Sequence, residues 1–323
     1  MSNATFSTAY REGVREEMLR DEGVFVLGTD LYERGGHFAQ VRGLGPEFGR
    51  DRIRDTPISE AAMVAAGVGA AMSGARPIVD LNFDDFAFGA FDEIANQAAK
   101  IRYMWGKNVP LVIRATSGVA LGGSQHSNSM EMLFASIPGL AVVVPSTPRD
   151  VKGLIKSSLR AEDPVVFLMH KKLTGLRGDV GGPDELVPIG VAHVVERGDD
   201  VTIVSYSHGM VTAGKAATEL RGRGIGADVI DVRSIYPLDE QTILDSVRRT
   251  GRLVVVDEAP YFGSFGAQLA SIVQQKAFWY LDAPIEVVAS PQTPIPHHPT
   301  LVDAILPSVA QVVAAVDRTI REV

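Results

Sequence analysis

Short, continuously apolar runs recur along the chain and alternate with longer stretches in which apolar positions return every three or four residues. VFVLG (24–28), PIVDL (77–81), PLVIRA (110–115), LAVVVP (140–145) and PVVFLMH (164–170) are of the first kind. Runs without polar alternation are expected of parallel strands covered on both faces. Between them, FSTAYREGVREEMLRD (6–21), the small-residue segment 59–74, FDEIANQAAKIRYMW (91–105) and segment 148–161 predict helices. A second series follows, with strands VTIVSYS (201–207), GADVIDVRS (226–234), RLVVVDE (252–258) and PIEVVA (284–289). Its helices are predicted at 209–222, 239–249, 264–277 and about 307–321. KKLTGLRGDVGGPDELVPIG (171–190) interrupts the rhythm with glycine, proline and charge, as a linker does. The pattern predicts an α/β chain of two consecutive open α/β domains, 1–175 and 196–323, joined by a linker at 176–195.

Composition narrows the function classes. The chain has 323 residues, 46% of them hydrophobic and 22% charged, enough for two cored domains. A net charge of −8, with no clustered Lys/Arg, argues against a nucleic-acid partner. The absence of cysteine excludes disulfides, thiolate nucleophiles and zinc–thiolate sites. The first residues, MSNATFSTAYREGVREEMLRDEG, lack the apolar core of a signal peptide, and no uninterrupted apolar segment approaches the roughly 20 residues of a membrane span. A soluble, cytoplasmic protein is expected.

The familiar phosphate motifs are missing: no GxGxxG opens a helix after a strand, and GxxxxGK[ST] does not occur. There is no HExxH, and His297 and His298 sit together in the proline-stiffened TPIPHHP. Three features remain. Glu60 ends DTPISE (55–60) at the mouth of the small-residue helix. On physics alone it reads as a first-turn acid favoured by the helix dipole, capped by Thr56 or Ser59 with Pro57 near the first helical position. The other reading is that it meets a ligand. LNFDDFAFGAFDE (81–93) crowds Phe83, Phe86, Phe88 and Phe91 just after a strand. Such rings are ordinarily core, yet one at a strand's carboxyl end is placed to stack on a planar ligand. GVALGGSQHSNS (118–129) carries His126 in a glycine-rich loop between strand and helix.

These features, in this order and spacing, resemble the beta subunits of thiamine-diphosphate-dependent 2-oxo acid dehydrogenases of the pyruvate, branched-chain and acetoin type, within the transketolase-like superfamily. The resemblance is carried by DTPISE, FDEIANQAAKIRYMWG (91–106), SQHS (124–127), PGLAVVVPSTPRDVKGLIKSSLR (138–160) and DPVVF (163–167). In the second half it rests on VIDVRSIYPLDEQTI (229–243), GRLVVVDE (251–258) and TPIPH (293–297), so that it spans essentially the whole chain. QKAFWYLDAPIEVV (275–288) and MHKKL (169–173) are most similar to the acetoin branch.

The resemblance implies a pyrimidine-binding domain followed by a transketolase C-terminal-like domain. It gives Glu60 the role of the glutamate that shares a proton with the cofactor's aminopyrimidine, favouring the imino tautomer that deprotonates the thiazolium carbon. It makes Phe86 the ring stacked on the pyrimidine, with Leu81 beside it, and His126 the active-site histidine that assists proton transfer and orients the acyl acceptor. The superfamily grips magnesium and the diphosphate with GDG…N, and this chain contains no GDG. The implied assembly is therefore α2β2, with thiamine diphosphate shared with an alpha subunit that holds magnesium, and with a lipoyl acyltransferase as acceptor. The alternatives are half of a split transketolase-like carboligase acting on an aldehyde, and a non-catalytic homologue. Which 2-oxo acid, acyloin or sugar is used stays open.

Four stretches depart from the family's pattern. Thr29 stands in Gly28-Thr29-Asp30 where the family commonly has GED, removing an acid from the polar network near the cofactor. The segment SSLRAEDP (157–164) replaces the usual acid and Asn of a potassium-binding turn with Ala161 and Asp163. A potassium site near Leu159, Ala161 and Asp163 is thus a candidate only. GVALGGSQHSN replaces the more usual Ala-Ala-Gln-His-Ser, and His37 stands in GGHF where Val is common.

Overall fold

The computed structural model describes residues 3–120 and 123–321. The chain divides into two compact units, the first running to Ser117 and resuming at Leu133–Ile189, the second formed by Gly118–Met132 and the chain from Gly190 onward.

The first unit contains β1 (Asn3–Thr5), α1 (Phe6–Arg20), β2 (Val24–Gly28), α2 (Leu44–Phe48), β3 (Ile53–Asp55), α3 (Glu60–Met72) and β4 (Arg76–Phe83). After α4 (Ile101–Trp105) and β5 (Val112–Ser117), α5 (Glu131–Ala135) leads back into it, followed by β6 (Ala141–Val143), α6 (Pro148–Arg160), β7 (Val165–His170) and β8 (Arg177–Asp179). Its main sheet is parallel, in the order β6-β7-β5-β4-β2-β3. Strands β5 and β7 are buried at every position, which accounts for their unbroken apolar runs. Helix α6 shows the local logic of the fold. Pro148 occupies its first turn, the Thr147 hydroxyl accepts from the Asp150 amide, and its inner face is buried.

The helix expected over 91–105 is interrupted. Residues Glu93–Ala98 form a wide π-type turn, in which the Ala99 amide donates to the Ile94 carbonyl. The ladder then re-forms as α4. The widened turn brings the Ala99 carbonyl against Gly139, where a Cβ would lie 2.0 Å from that oxygen. Only glycine permits that approach.

The second unit holds β9 (His193–Glu196), β10 (Val201–Ser205), α7 (Gly209–Gly222), β11 (Ala227–Asp231), β12 (Ser234–Tyr236), α8 (Glu240–Thr250), β13 (Leu253–Pro260), α9 (Phe265–Ala277), β14 (Glu286–Ser290), α10 (Pro299–Ile305) and α11 (Val309–Arg321). Its sheet runs β14-β13-β10-β11-β9, parallel except for the antiparallel edge strand β9. One stretch bears on the expectation that no uninterrupted apolar segment approaches a membrane span, although Asp303, Pro307 and Asp317 interrupt it. Residues Pro299–Ile320 are long and apolar enough to cross a membrane by length and composition. They form two helices, and Val312, Ala315 and Val316 of α11 are fully buried in this unit's core. That burial accounts for the apolar inner face of α11.

Candidate functional site

In parallel α/β sheets ligands gather at the carboxyl ends of the strands, and the first unit concentrates its unusual chemistry there. Strand β4 does not end regularly. Its pairing with β5 shifts register between Asp80 and Phe83, and Asn82 takes a left-handed conformation at φ 62°. The Asn82 amide donates to Asp80 Oδ1 at 2.9 Å, a local bond that stabilises the bulge. The bulge turns the chain into the 3-10 turn Asp84–Ala90 and gathers rings. Phe83 and Phe86 meet edge to face, centroids 5.5 Å apart. His37 and Phe38 pack edge-on against Phe83 at 5.2 and 5.7 Å, and Lys171 Nζ lies 5.3 Å from the Phe83 ring. Phe86 is half-buried and keeps part of its ring open, whereas Leu81 is 1% exposed beside the bulge.

Glu60 is the first residue of α3 and is half-buried. The expected capping bond is not found. Ser59 stands at the cap position but its side chain makes no capping bond, and the Thr56 hydroxyl is buried without a partner among the described residues. Pro57 falls before the first turn. The Glu60 carboxylate instead approaches the turn that bears Phe86: a Cβ on Gly89 would lie 4.0 Å from Glu60 Oε2. The carboxylate thus comes close to Gly89, on the same 3-10 turn that carries Phe86. Nor is α3 wholly buried as its composition suggests. Met63, Val64, Gly67, Val68 and Ala71 face the core, while Ala61, Ala62, Ala65, Ala66 and Gly69 are exposed.

Beneath this edge lies a buried polar network that sequence reasoning missed. Asp80 is 1% and Arg114 0% exposed, and Arg114 Nη1 reaches both carboxylate oxygens at 3.1 and 3.3 Å. Gln40, also fully buried, donates from Nε2 to Asp80 Oδ2 at 2.6 Å. The signal was present: opposite charges inside the apolar runs PIVDL and PLVIRA, which the sheet aligns directly, Asp80 against Arg114.

His126 lies in the second unit. It ends the 3-10 turn Ser124–His126, is half-buried, and its Nδ1 is 2.5 Å from the Gln125 carbonyl. A carbonyl only accepts, so in the neutral ring this contact places the proton on Nδ1 and leaves Nε2 as the basic nitrogen. Leu121 and Gly122 of this loop lie outside the described residues. The rest is pinned within its unit. The Ser124 hydroxyl donates to the Ile295 carbonyl at 2.6 Å, the Val119 amide to Glu258 at 3.3 Å, and Val119 packs with Ile295, Val302 and Leu306. Glu258 also accepts from His208 Nδ1 at 2.6 Å, a second pair that the sequence did not single out.

Comparison with known proteins decides the family. Residues 2–176 match the transketolase pyrimidine-binding domain and residues 190–312 the transketolase C-terminal domain. The chain is 45% identical to the beta subunit of the acetoin:2,6-dichlorophenolindophenol oxidoreductase of Cupriavidus necator, over 97% of this chain and 96% of that one. It is 42% identical to the 2-oxoisovalerate dehydrogenase subunit beta of Bacillus subtilis, over 93% and 94% of the two chains. The chain belongs to the beta subunits of thiamine-diphosphate-dependent 2-oxo acid and acetoin dehydrogenases. This beta subunit is also 44% identical to the pyruvate dehydrogenase E1 component subunit beta of Rhizobium meliloti, over 98% of its own length and 70% of the relative's. A solved structure described as a split gene transketolase, an inactive beta4 tetramer, shares the fold with TM-score 0.82 at 24% identity, over 99% of both chains.

In chemical type the residues here suit the planar half of such a cofactor: a half-buried carboxylate, Glu60, near a turn that carries the half-buried Phe86 and has no side chain at Gly89. The candidate potassium turn fits its ion poorly. The Leu159 and Ala161 carbonyls accept from Arg76 Nη1 at 3.0 and 2.9 Å, and Asp163 Oδ1 accepts from Arg102 at 2.7 Å. Ala161 has no side-chain oxygen to offer.

Proposed function

We propose that this beta subunit supplies the pyrimidine half of a thiamine diphosphate site whose diphosphate and magnesium are held by an alpha subunit, in an α2β2 assembly active only when complete. The observation that carries the reading is the approach of the Glu60 carboxylate to the turn bearing Phe86. The missing GDG supports a partner chain, as does the exposed small-residue side of α3 directly after Glu60.

In this reading the bound cofactor supplies the electron sink for cleaving a carbon–carbon bond next to a carbonyl. Everything else falls to the protein. Glu60 holds a proton at a carboxyl oxygen against the pyrimidine nitrogen. Phe86, braced edge-on by Phe83, presents a face for stacking, and buried Leu81 supports the bulge from which that turn departs. The ring cluster His37–Phe38–Phe83 keeps water from that side of the site. His126, with Nδ1 tied to its own loop, offers Nε2 for proton exchange with substrate or acceptor. Its contribution belongs to the transfer step, in which the acyl unit passes to a lipoyl group on an acyltransferase. The carboligase alternative has a likeness of fold behind it and no residue that favours it.

The test is Glu60→Gln in the assembled complex, assayed with 2-oxo acids and acetoin and an artificial electron acceptor. The amide keeps the shape but cannot share the proton, so turnover should fall roughly 10²- to 10⁴-fold with assembly intact. Turnover near wild type would remove Glu60 from the mechanism.

A further inference from the structure

The turn joining α6 to β7 sits at the carboxyl end of a helix, where the last carbonyls have no partner inside the helix and the dipole favours a positive charge. In the family a potassium ion is expected to meet that need. Here the need is met within the chain. Arg76, the first residue of β4, reaches across with its side chain 22% exposed. Its Nη1 bridges the Leu159 and Ala161 carbonyls at 3.0 and 2.9 Å, and its Nη2 donates to Glu162 Oε1 at 2.6 Å. The second Glu162 oxygen takes Asn108 Nδ2 at 2.5 Å, and the Glu162 carbonyl takes the Val109 amide at 3.1 Å. Asp21 lies 3.7 Å from Arg76 Nε, and Arg102 holds Asp163.

We infer that the Arg76 guanidinium takes the place of the monovalent cation, so that this turn is clamped by a charge built into the chain and is indifferent to potassium. Three considerations support this. The guanidinium carries the same charge as the ion but distributes it over a planar fork, which matches two carbonyls and a carboxylate at once. It is tethered, so it competes with a dissolved ion at high effective concentration. And Ala161, in place of the usual acid, removes an oxygen that an ion would use and a tethered arginine does not need.

Access is not what keeps an ion away. Arg76, Asn108 and Glu162 line an open cleft of about 370 Å³ together with Met72, Lys107 and Pro110. Solvent cations can reach the turn, and what they meet is a satisfied set of acceptors.

The experiment is thermal unfolding of the full chain in KCl, NaCl and choline chloride at equal ionic strength, for wild type, Arg76→Met and Arg76→Lys. The wild-type Tm is expected to be the same in all three salts. Arg76→Met should lower Tm by roughly 4–8 °C, and Arg76→Lys by less, because one ammonium recovers the charge but not the fork. Crystals of the wild type grown with thallium(I), a potassium mimic, should show no anomalous peak on the Leu159 and Ala161 carbonyls. A wild-type Tm raised specifically by potassium, a thallium peak in the turn, or Arg76→Met melting with the wild type would each overturn the inference. If Arg76→Met does not fold, the wild-type salt series and the thallium experiment decide by themselves.

Discussion

Each unit buries a carboxylate in the middle of its sheet, and the two solve the same problem differently. Asp80 in β4 of the first unit faces Arg114 across the ladder and also takes Gln40, so its charge is matched by another charge. Asp257 in β13 of the second unit stands opposite Ala289 on β14, and the donors around it are neutral. They are the Tyr206 hydroxyl at 2.8 Å, the Ala259 amide at 3.0 Å and the Gly266 amide at 2.9 Å, the last in the first turn of α9. Burial raises the Asp257 pKa above its ordinary 3.8 in spite of those bonds. Burial likewise pushes Tyr206 well above the range of an exposed tyrosine. The difference teaches that position in a sheet does not settle the state of a buried acid. At Asp80 the adjoining strand supplies a charged partner at the same register; at Asp257 it supplies none, and neutral donors take its place.

The comparison can be broken most sharply at Arg114. Arg114→Ala strands the Asp80 charge and should cost the first unit roughly 3–5 kcal/mol. Hydrogen exchange would then show lost protection in β4 and β5 with β10 and β13 unchanged; equal losses in both units would break the contrast. Tyr206→Phe removes one neutral donor from Asp257 while two amides remain, so about 1–2 kcal/mol is expected from denaturant unfolding, a smaller loss confined to the second unit. A cost rivalling that of Arg114→Ala would mean that the hydroxyl acts as more than one hydrogen bond among three.

The smallest effect concerns pH. The folded pKa of Asp257 is raised, so its stabilising contribution is complete below 3.8 and is lost as pH climbs towards the folded value. The Tm of the wild type relative to that of Asp257→Asn should therefore fall as pH rises from 3.8, and a relative rise would reverse the assignment.

Much of this architecture could be read from the chain. The apolar runs marked β2, β4, β5, β7 and the parallel strands β10, β11, β13 and β14 of the second sheet, because a doubly covered parallel strand has no polar face to confuse the pattern; the antiparallel edge strand β9 was not seen. The expected helix over 91–105 is interrupted by the π-type turn at Glu93–Ala98, next to which the Ala99 carbonyl meets Gly139, a contact that local periodicity does not announce. Helix α10, short and opened by Pro299, carried too little pattern to be seen. At the site, Glu60 by itself suggested no more than a helix start, and the capping it predicted is absent. Its significance came from resemblance and from its approach to Gly89, which no spacing encodes. Asp80 and Arg114 were visible as charges in apolar runs but could be paired only once the register was known. Arg76 gave no sign, since its partners lie at the far end of another helix.

The loop carrying His126 leaves the first unit after Ser117 and rejoins it at Leu133. For protein engineering, the two halves of this chain are consequently not exchangeable cassettes. A chimera of two relatives with a single crossover at 189/190 would take its His126 loop from one parent and the Ile295 and Glu258 that hold the loop from the other. Faithful shuffling requires three breakpoints, and natural recombination at one would tend to yield folded but poorly matched hybrids.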